Sequence, residues 1–146
     1  MKKVIVTGAN GQLGKAFTDA LVEKGYFVYA VDLNIERIVS SESVKPIELD
    51  ITNEKEVHSF FSSVNDLDVL INNAGIGVFT PFEDRTAAEF KQVMEVNLLG
   101  AFLMSQSSIK IMKNSNSGKI VNIASIYGST SSDERIYGDS GRNNSE

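Results

Sequence analysis

Three glycines near the amino terminus have the spacing of a phosphate-binding turn. Gly8, Gly11 and Gly14 lie three residues apart and follow the apolar run Val4–Val6. Glycine lets a backbone turn tightly and approach a pyrophosphate, whose charge then faces the amide groups that begin the next helix. A strand, such a turn and a helix are typical of dinucleotide binding in α/β sheets. Because this spacing also occurs for purely steric reasons, the turn alone leaves both interpretations open.

An acidic residue closes the second apolar run at the distance expected for a ribose-binding carboxylate. Asp32 comes 18 residues after the last of these glycines and can accept hydrogen bonds from the adenosine ribose hydroxyls. A 2′-phosphate there would bring like charges to about 4 Å, costing up to roughly 4 kcal/mol at an effective dielectric of 20. We therefore expect NAD to be preferred over NADP, a preference that Arg37 would weaken. The alternative is a solvated acid at a strand end.

Two further turns follow apolar runs in the same way. Asn72–Gly75 follows Val69–Ile71 and forms a second glycine turn at a strand end. Asp50 and Ile51 follow the third run, where they have two interpretations: contact with the edge and face of adenine, or capping of the helix that begins near Asn53. Because parallel strands end at one edge of a sheet, these turns are expected to lie together.

The segments that position these turns alternate between strand and helix. The five apolar runs of strand length are Val4–Val6, Phe27–Val31, Lys45–Leu49, Val69–Ile71 and Ile120–Ile123. This alternation predicts an α/β protein with a three-layer Rossmann fold and a parallel, doubly wound sheet. Right-handed crossovers predict the strand order 3-2-1-4-5, with the carboxyl-terminal strands of such a sheet missing. The fifth run has the composition of a buried strand but is placed at an edge, so we expect self-association.

Helix signals lie between most of these runs. The first helix is predicted over Gln12–Lys24, with Gly25 ending it. Asn53 is a good N-cap for a second helix. The longest helix is predicted to begin near Thr86 and to end at a polar loop over residues 114–118. From Ser129 onward the composition is polar. We therefore expect an incomplete Rossmann domain over residues 1–128 and a polar loop or disordered tail over 129–146.

The composition excludes several classes of function. The 146 residues fit one domain, and 42% apolar with 23% charged residues is ordinary for a globular chain. The absence of cysteine excludes disulfides and cysteine metal sites and favours the reducing cytoplasm. A net charge of −5 with scattered cations argues against nucleic-acid binding. We expect no metal site, because His58 is the only histidine. No signal peptide or membrane span is indicated.

Together these motifs resemble the short-chain dehydrogenase/reductase family. The resemblance extends from Met1 to about Tyr127. It is carried by Thr7–Gly14, Asp32, Asp50, Asn72–Gly75, Asn97 within Glu95–Gly100, and Ser125 within Ile123–Ser125. It implies the cofactor-binding half of an NAD(P)-dependent oxidoreductase that transfers hydride between nicotinamide and an alcohol or carbonyl. The implied partners are a small alcohol, carbonyl or sugar-type substrate and further copies of the chain.

The resemblance also implies roles for individual residues. The implied cofactor-binding residues are Gly8, Asn10, Gly11, Gln12, Leu13, Gly14, Asp32, Leu33, Asp50, Ile51, Asn73, Ala74, Gly75 and Ile123. Asn97 would anchor a water-linked proton path. Ser125 would polarise the carbonyl or alcohol of the substrate. Phe79, Pro81 and Phe82 have two interpretations, a wall of the substrate pocket or ordinary core or loop packing.

Two departures from the family pattern leave alternatives open. With Gln12, the first turn reads Thr-Gly-x-x-Gly-x-x-Gly, which resembles the extended branch that often modifies sugar nucleotides, so an epimerase, dehydratase or reductase of that branch is an alternative. Family members carry Tyr-x-x-x-Lys after the serine, but Gly141 stands where the lysine that follows Tyr137 would be. A tyrosine with a pKa near 10 needs a neighbouring cation to exchange protons at neutral pH. We expect a chain truncated before that motif, or a non-catalytic dinucleotide-binding module.

Overall fold

A computed structural model describes residues 1–129 of the chain and shows a parallel sheet of five strands in the order β3-β2-β1-β4-β5. This order confirms the predicted topology. The strands are β1 (Lys3–Thr7), β2 (Phe27–Asp32), β3 (Val44–Glu48), β4 (Val69–Asn72) and β5 (Lys119–Asn122). The helices are α1 (Gln12–Glu23), α2 (Glu54–Ser62), α3 (Ala87–Met94) and α4 (Ala101–Ser115), with a π-helical segment, Glu95–Gly100, between the last two. Short 3-10 turns cover Phe82–Asp84 and Ile126–Gly128.

Strand alternation divides the apolar residues between two layers of core. On one side, β1 and β4 pack against α2 and α4, with Ile5, Leu70 and Met104 fully buried. On the other side, Val6 and Val28 pack against α1. The sheet therefore has helices on both faces, as a doubly wound fold requires.

The α1 side of the sheet is covered only in part. Val69 and Ile71 pack at the margin of the α1-side core, and Val121 lies beside Ile71 in the parallel register. Val121 is 43% exposed and Ile123 42% exposed. The apolar fifth strand is thus at an edge, as predicted, and its α1-side residues face solvent.

The predicted helix boundaries are confirmed where local chemistry sets them. Gly25 follows α1 with φ +77°, its N–H donates to Val22, and the next N–H donates to Leu21, which is the Schellman arrangement. The Asn53 side chain accepts from two backbone N–H groups at the start of α2, and Thr86 forms a capping box with Glu89 at the start of α3.

The longest helix differs from the continuous α-helix that its apolar spacing predicted. It begins after Thr86, as expected, but widens to π geometry over Glu95–Gly100 before α-helical bonding resumes. A π segment carries an extra residue per turn, and such segments occur frequently at functional sites. The third and fifth strands also begin one residue earlier than predicted, at Val44 and Lys119.

The predicted polar tail, with Tyr137 and Gly141, lies outside the described residues apart from its first residue, Ser129. Within residues 1–129, no helix is both long enough and apolar enough to cross a membrane.

Candidate dinucleotide-binding site

The two glycine turns are bonded to each other. The Thr7 hydroxyl accepts hydrogen bonds from the backbone N–H groups of Asn73 and Ala74, both at 3.0 Å. The side-chain amide of Asn73 donates back to the carbonyl oxygens of Thr7 and Gly8, at 3.0 and 3.2 Å. Gly8 has φ +65°, and a Cβ there would lie 2.8 Å from Ala74 Cα. The first turn therefore requires glycine at this position.

Helix α1 approaches the first turn too closely for any side chain at Gly14. A Cβ on Gly14 would lie 2.0 Å from the Gly8 carbonyl oxygen and 2.7 Å from Ala9 Cα. These are backbone atoms, which cannot rotate away. The close packing places the first turn of α1 directly behind the loop, where its amide groups reach the loop's concave side.

The amino terminus of α1 lacks the capping features that α2 and α3 have. Its N-cap residue is Gly11, with no side-chain capping bond and no acid in the first turn. By contrast, α2 and α3 are both capped by side chains and have acids in their first turns. The first amide groups of α1 are the kind of positive, unsatisfied end that binds an anion.

The Asp32 carboxylate is fixed beside this turn by two backbone groups. One oxygen accepts from the Asn10 N–H at 2.9 Å, and the other accepts from the Asn34 N–H at 3.1 Å. The first bond ties the end of β2 to the glycine turn. Asp32 is half-buried, so it faces the solvent-accessible space next to the turn.

A cavity of about 580 Å³ runs along the carboxyl ends of the strands. It is lined by every predicted cofactor-binding residue except Gly14 and Ile123. The prediction had not included five further lining residues: Val31, Leu49, Thr52, Ile76 and Val96. The first four of these adjoin predicted cofactor-binding residues in the sequence, and Val96 adjoins the predicted Asn97, so sequence neighbourhood was the available signal.

The Asp50–Thr52 turn forms one wall of this cavity. One Asp50 oxygen accepts from both the N–H and the hydroxyl of Thr52, at 2.9 and 2.7 Å, so the carboxylate stabilises its own turn while it lines the cavity. Ile51 is buried beneath the π segment, where a Cβ on Gly100 would lie 2.6 Å from Ile51 Cδ1. The cavity wall and the π segment are therefore in direct contact.

Asn97 holds the backbone that follows the second glycine turn. Its side-chain oxygen accepts from the Ile76 N–H at 2.8 Å, and its side-chain amide donates to the Ile76 carbonyl at 2.9 Å. The π segment presents Asn97 to this loop and Val96 to the cavity. The predicted proton-path role of Asn97 stays a prediction, but its position beside the cavity is clear.

The predicted substrate side is more open. Ser125 lies in the exposed turn after β5, where its carbonyl accepts from the Gly128 N–H at 3.1 Å. It does not line the cavity within residues 1–129, so its catalytic role stays a prediction. Phe79 and Phe82 are 56% and 85% exposed, so neither side chain is packed in the hydrophobic core.

Glu89, in the first turn of α3, is hydrogen-bonded to the loop that carries these phenylalanines. The Thr80 hydroxyl donates to one Glu89 oxygen, and the Thr86 N–H and hydroxyl donate to the other. These hydrogen bonds, with that from Thr80 the strongest, lower the pKa of Glu89 from 4.5 to about 2. Arg85 donates to the Val78 and Thr80 carbonyls, so this part of the loop is held to the start of α3.

Comparisons with known proteins identify the family of this chain. The family model for short chain dehydrogenases matches residues 2–138, and the chain belongs to that family. A short chain dehydrogenase from Leptospira borgpetersenii, solved with bound NAD+, is 41% identical with a TM-score of 0.88; the alignment covers 93% of this chain and 56% of the other. ElxO with NADP bound is 28% identical with a TM-score of 0.80, over 88% of this chain and 57% of that structure.

A curated relative is similar over the same region. Cyclopentanol dehydrogenase from Comamonas is 33% identical in an alignment of 141 positions that covers 87% of this chain and 56% of the relative. The chain spans about half the length of the first curated relatives it matches, at 47%, 47% and 56%.

Proposed function

We propose that the cavity binds a nicotinamide dinucleotide and that this chain is the cofactor-binding half of an NAD(P)-dependent oxidoreductase. The observation that carries the proposal is the first glycine turn, because Gly8 and Gly14 leave no room for side chains and an uncapped helix end lies behind them. Family membership and the bound dinucleotides of similar structures support it.

Each part of such a cofactor would contact its own set of lining residues. The amide groups at the start of α1 would hold the pyrophosphate. Asp32 would accept bonds from the adenosine ribose, while Leu33, Asp50 and Ile51 would hold the adenine. Asn73, Ala74 and Gly75 continue the cavity toward Asn97, where the nicotinamide end would lie.

NAD is the preferred cofactor in this proposal. The Asp32 carboxylate is already held in place by two N–H donors, so a 2′-phosphate would meet a fixed negative charge. Arg37 lines a neighbouring groove with Lys15 and Asp19 and is not among the residues that line the cavity. In this proposal it would therefore not offset the charge of Asp32.

In the whole protein, the bound nicotinamide would accept or donate a hydride, and the substrate would be a small alcohol, carbonyl or sugar-type compound. Ser125 would donate a hydrogen bond to the oxygen on which charge develops. Asn97 would keep the loop after the second glycine turn in position and anchor the proton path. The proton donor is not among these residues, so our proposal for this chain itself is cofactor binding, and turnover is proposed for the whole protein. We also propose a cytoplasmic location, because this chain contains no cysteine.

An epimerase, dehydratase or reductase of the extended branch is the alternative within enzymes, and one observation favours it. The glycine turn has the spacing of that branch, with Gln12 among the lining residues. A non-catalytic dinucleotide-binding module is the remaining alternative.

The catalytic proposal is tested by a chimera. Residues 1–128 are fused to the carboxyl-terminal part of the Comamonas cyclopentanol dehydrogenase, and NAD+ reduction by cyclopentanol is followed at 340 nm. We expect turnover, and a loss of about 10²–10³ fold in kcat for Ser125→Ala, because that substitution removes one donor to the developing oxyanion. Equal rates for the chimera and its Ser125→Ala form would contradict the assigned role. A chimera that folds and binds NADH but never turns over would favour the non-catalytic module.

A further inference from the structure

The turn after β3 and the π segment touch through one pair of residues. Ile51 lines the cavity and is only 8% exposed. Gly100, the last residue of the π segment, is buried against it. A Cβ added at Gly100 would lie 2.6 Å from Ile51 Cδ1, 2.7 Å from its Cγ1 and 3.5 Å from its Cβ. Glycine at this position therefore lets the π segment rest directly on a side chain of the cavity wall.

The same π segment contacts a second part of the cavity wall through Asn97. Asn97 lies three residues before Gly100 and is bonded to both the N–H and the carbonyl of Ile76, at 2.8 and 2.9 Å. A Cβ on Gly75 would lie 3.4 Å from the Asn97 side-chain oxygen, so Asn97 also lies against the second glycine turn. Gly75 and Ile76 both line the cavity. The π segment therefore connects two separate stretches of cavity wall, at residues 50–52 and 73–76.

These two contacts differ in how firmly they are held. The Asn97 bridge consists of two hydrogen bonds, whereas Ile51 and Gly100 meet only through van der Waals contact, which weakens steeply with distance. Ile51 also borders a cavity of about 580 Å³, and its side chain has several staggered rotamers. Rotation of Cδ1 toward the cavity would remove the support beneath Gly100. A group that fills this part of the cavity would restrict Ile51 to the rotamer that supports Gly100.

We propose that Ile51 and Gly100 are positioning residues that couple binding at the adenine side of the cavity to the Asn97 bridge. This inference rests on the proposed function, in which Ile51 contacts the adenine. Ile51 held beneath Gly100 by an adenine ring would stabilise the π segment and with it the bonds from Asn97 to Ile76. Because coupling between two sites is reciprocal, the Asn97 bridge also favours adenine binding. The nicotinamide side of the cavity is thus stabilised by the adenine half of the cofactor.

Amide hydrogen exchange of Ile76, followed by NMR on the full chain, tests this coupling, because that N–H is bonded to Asn97. ADP is the probe, since it contains adenine, ribose and pyrophosphate but no nicotinamide. Inorganic pyrophosphate is the control, because it would bind the amide groups of α1 without touching Ile51. We expect saturating ADP to slow exchange at Ile76 about fivefold or more, and pyrophosphate to change it by less than about 1.5-fold.

This comparison needs no substitution, so it does not depend on how a variant folds. ADP that binds in calorimetry without slowing exchange at Ile76 would overturn the coupling and leave the proposed cofactor site intact. Equal slowing by ADP and pyrophosphate would also overturn it, because the effect would then come from α1. A folded chain that does not bind ADP would overturn the inference, and one that binds neither ADP nor NADH would contradict the proposed function as well.

Substitutions at the contact test the two positioning residues. Gly100→Ala adds a methyl group that displaces Ile51, so we expect faster exchange at Ile76 and no effect of saturating ADP on it. In Gly100→Ala/Ile51→Ala the nearest remaining atom of residue 51 is its Cβ, at 3.5 Å. The double variant should regain the ADP-free exchange rate of the natural chain but not the ADP effect. A role limited to packing would restore both properties or neither, and that result would overturn the proposal.

Gly118→Ala is the matched control for this crowding. Its Cβ would lie 2.3 Å from Met112 Sδ, and neither residue lines the cavity. We expect this variant to keep the full effect of ADP on exchange at Ile76. Loss of the ADP effect in Gly118→Ala, or its survival in Gly100→Ala, would overturn the role given to the contact between Ile51 and Gly100.

Discussion

The two ends of the sheet differ in how completely their apolar side chains are buried. At β1 and β2, residues such as Val6 and Val28 are fully buried beneath α1, and the turns above them form a braced cavity. At β5, Val121 and Ile123 are exposed, and Ser125 follows in an open turn. The first end therefore holds the cavity that we propose as the dinucleotide site. The second end holds Ser125, a predicted catalytic residue, in an exposed position.

The two edge strands show the same contrast. The β3 edge contains Lys45, Pro46 and Glu48, and proline and charged residues block the addition of another strand. The β5 edge has one charged residue, Lys119, and no proline. Of the two edges among residues 1–129, the β3 edge is therefore the better protected against further strand pairing.

The largest expected effect tests the first glycine turn, at the β1 and β2 end of the sheet. Gly14→Val should destabilise the chain by roughly 3 kcal/mol or more, because its Cβ would overlap backbone atoms of the first turn. Thermal unfolding by circular dichroism measures this, and NADH binding should be lost with it. Gly128→Ala is the control, since a Cβ added there would meet no atom within 4 Å, and it should change stability by less than about 0.5 kcal/mol. Equal effects of the two substitutions would remove the argument for a tight glycine turn.

A pair of isosteric substitutions compares the two ends directly. Val6→Thr should cost about 2 kcal/mol, because it buries a hydroxyl without a partner under α1. Val121→Thr should cost less than about 0.5 kcal/mol, since that side chain meets solvent. Urea unfolding curves measure both. Similar costs would mean that the β5 end is covered in solution, and the contrast between the ends would fail.

The smallest expected effect concerns the loop between the two ends. The pKa of Glu89 is lowered to about 2 in the folded chain, so its ionised form stabilises the fold above its unfolded pKa, and this contribution disappears as the pH falls from about 4.5 toward 2. Glu89→Gln should lower Tm by a few degrees at pH 7 and by progressively less as the pH falls through that range. Lys91→Gln, a neutralisation on the same helix, is the control. A pH-independent difference for Glu89→Gln would show that its carboxylate is not held as described.

The sequence was sufficient to predict features that depend on residues at helix ends or on the right-handed connections between parallel strands. Strand order followed from right-handed crossovers, and Gly25, Asn53 and Thr86 marked helix ends that the structure confirms. Most of the cavity lining followed from turns that must meet at one edge of a parallel sheet.

Features that depend on contacts between distant segments could not be predicted. The π segment keeps an apolar spacing that an α-helix would also show, and its hydrogen bonds from Asn97 to Ile76 join segments 21 residues apart. The two N–H donors that fix Asp32 come from backbone, which carries no sequence signal.

Calorimetric titration of the intact chain with NADH and with NADPH, repeated on Asp32→Asn, tests the central claim most directly. We predict saturable binding of one NADH per chain, tighter than that of NADPH, and a fall of at least about tenfold in this discrimination when the charge of Asp32 is removed, which corresponds to about 1.4 kcal/mol. A folded chain that binds neither dinucleotide would contradict the account.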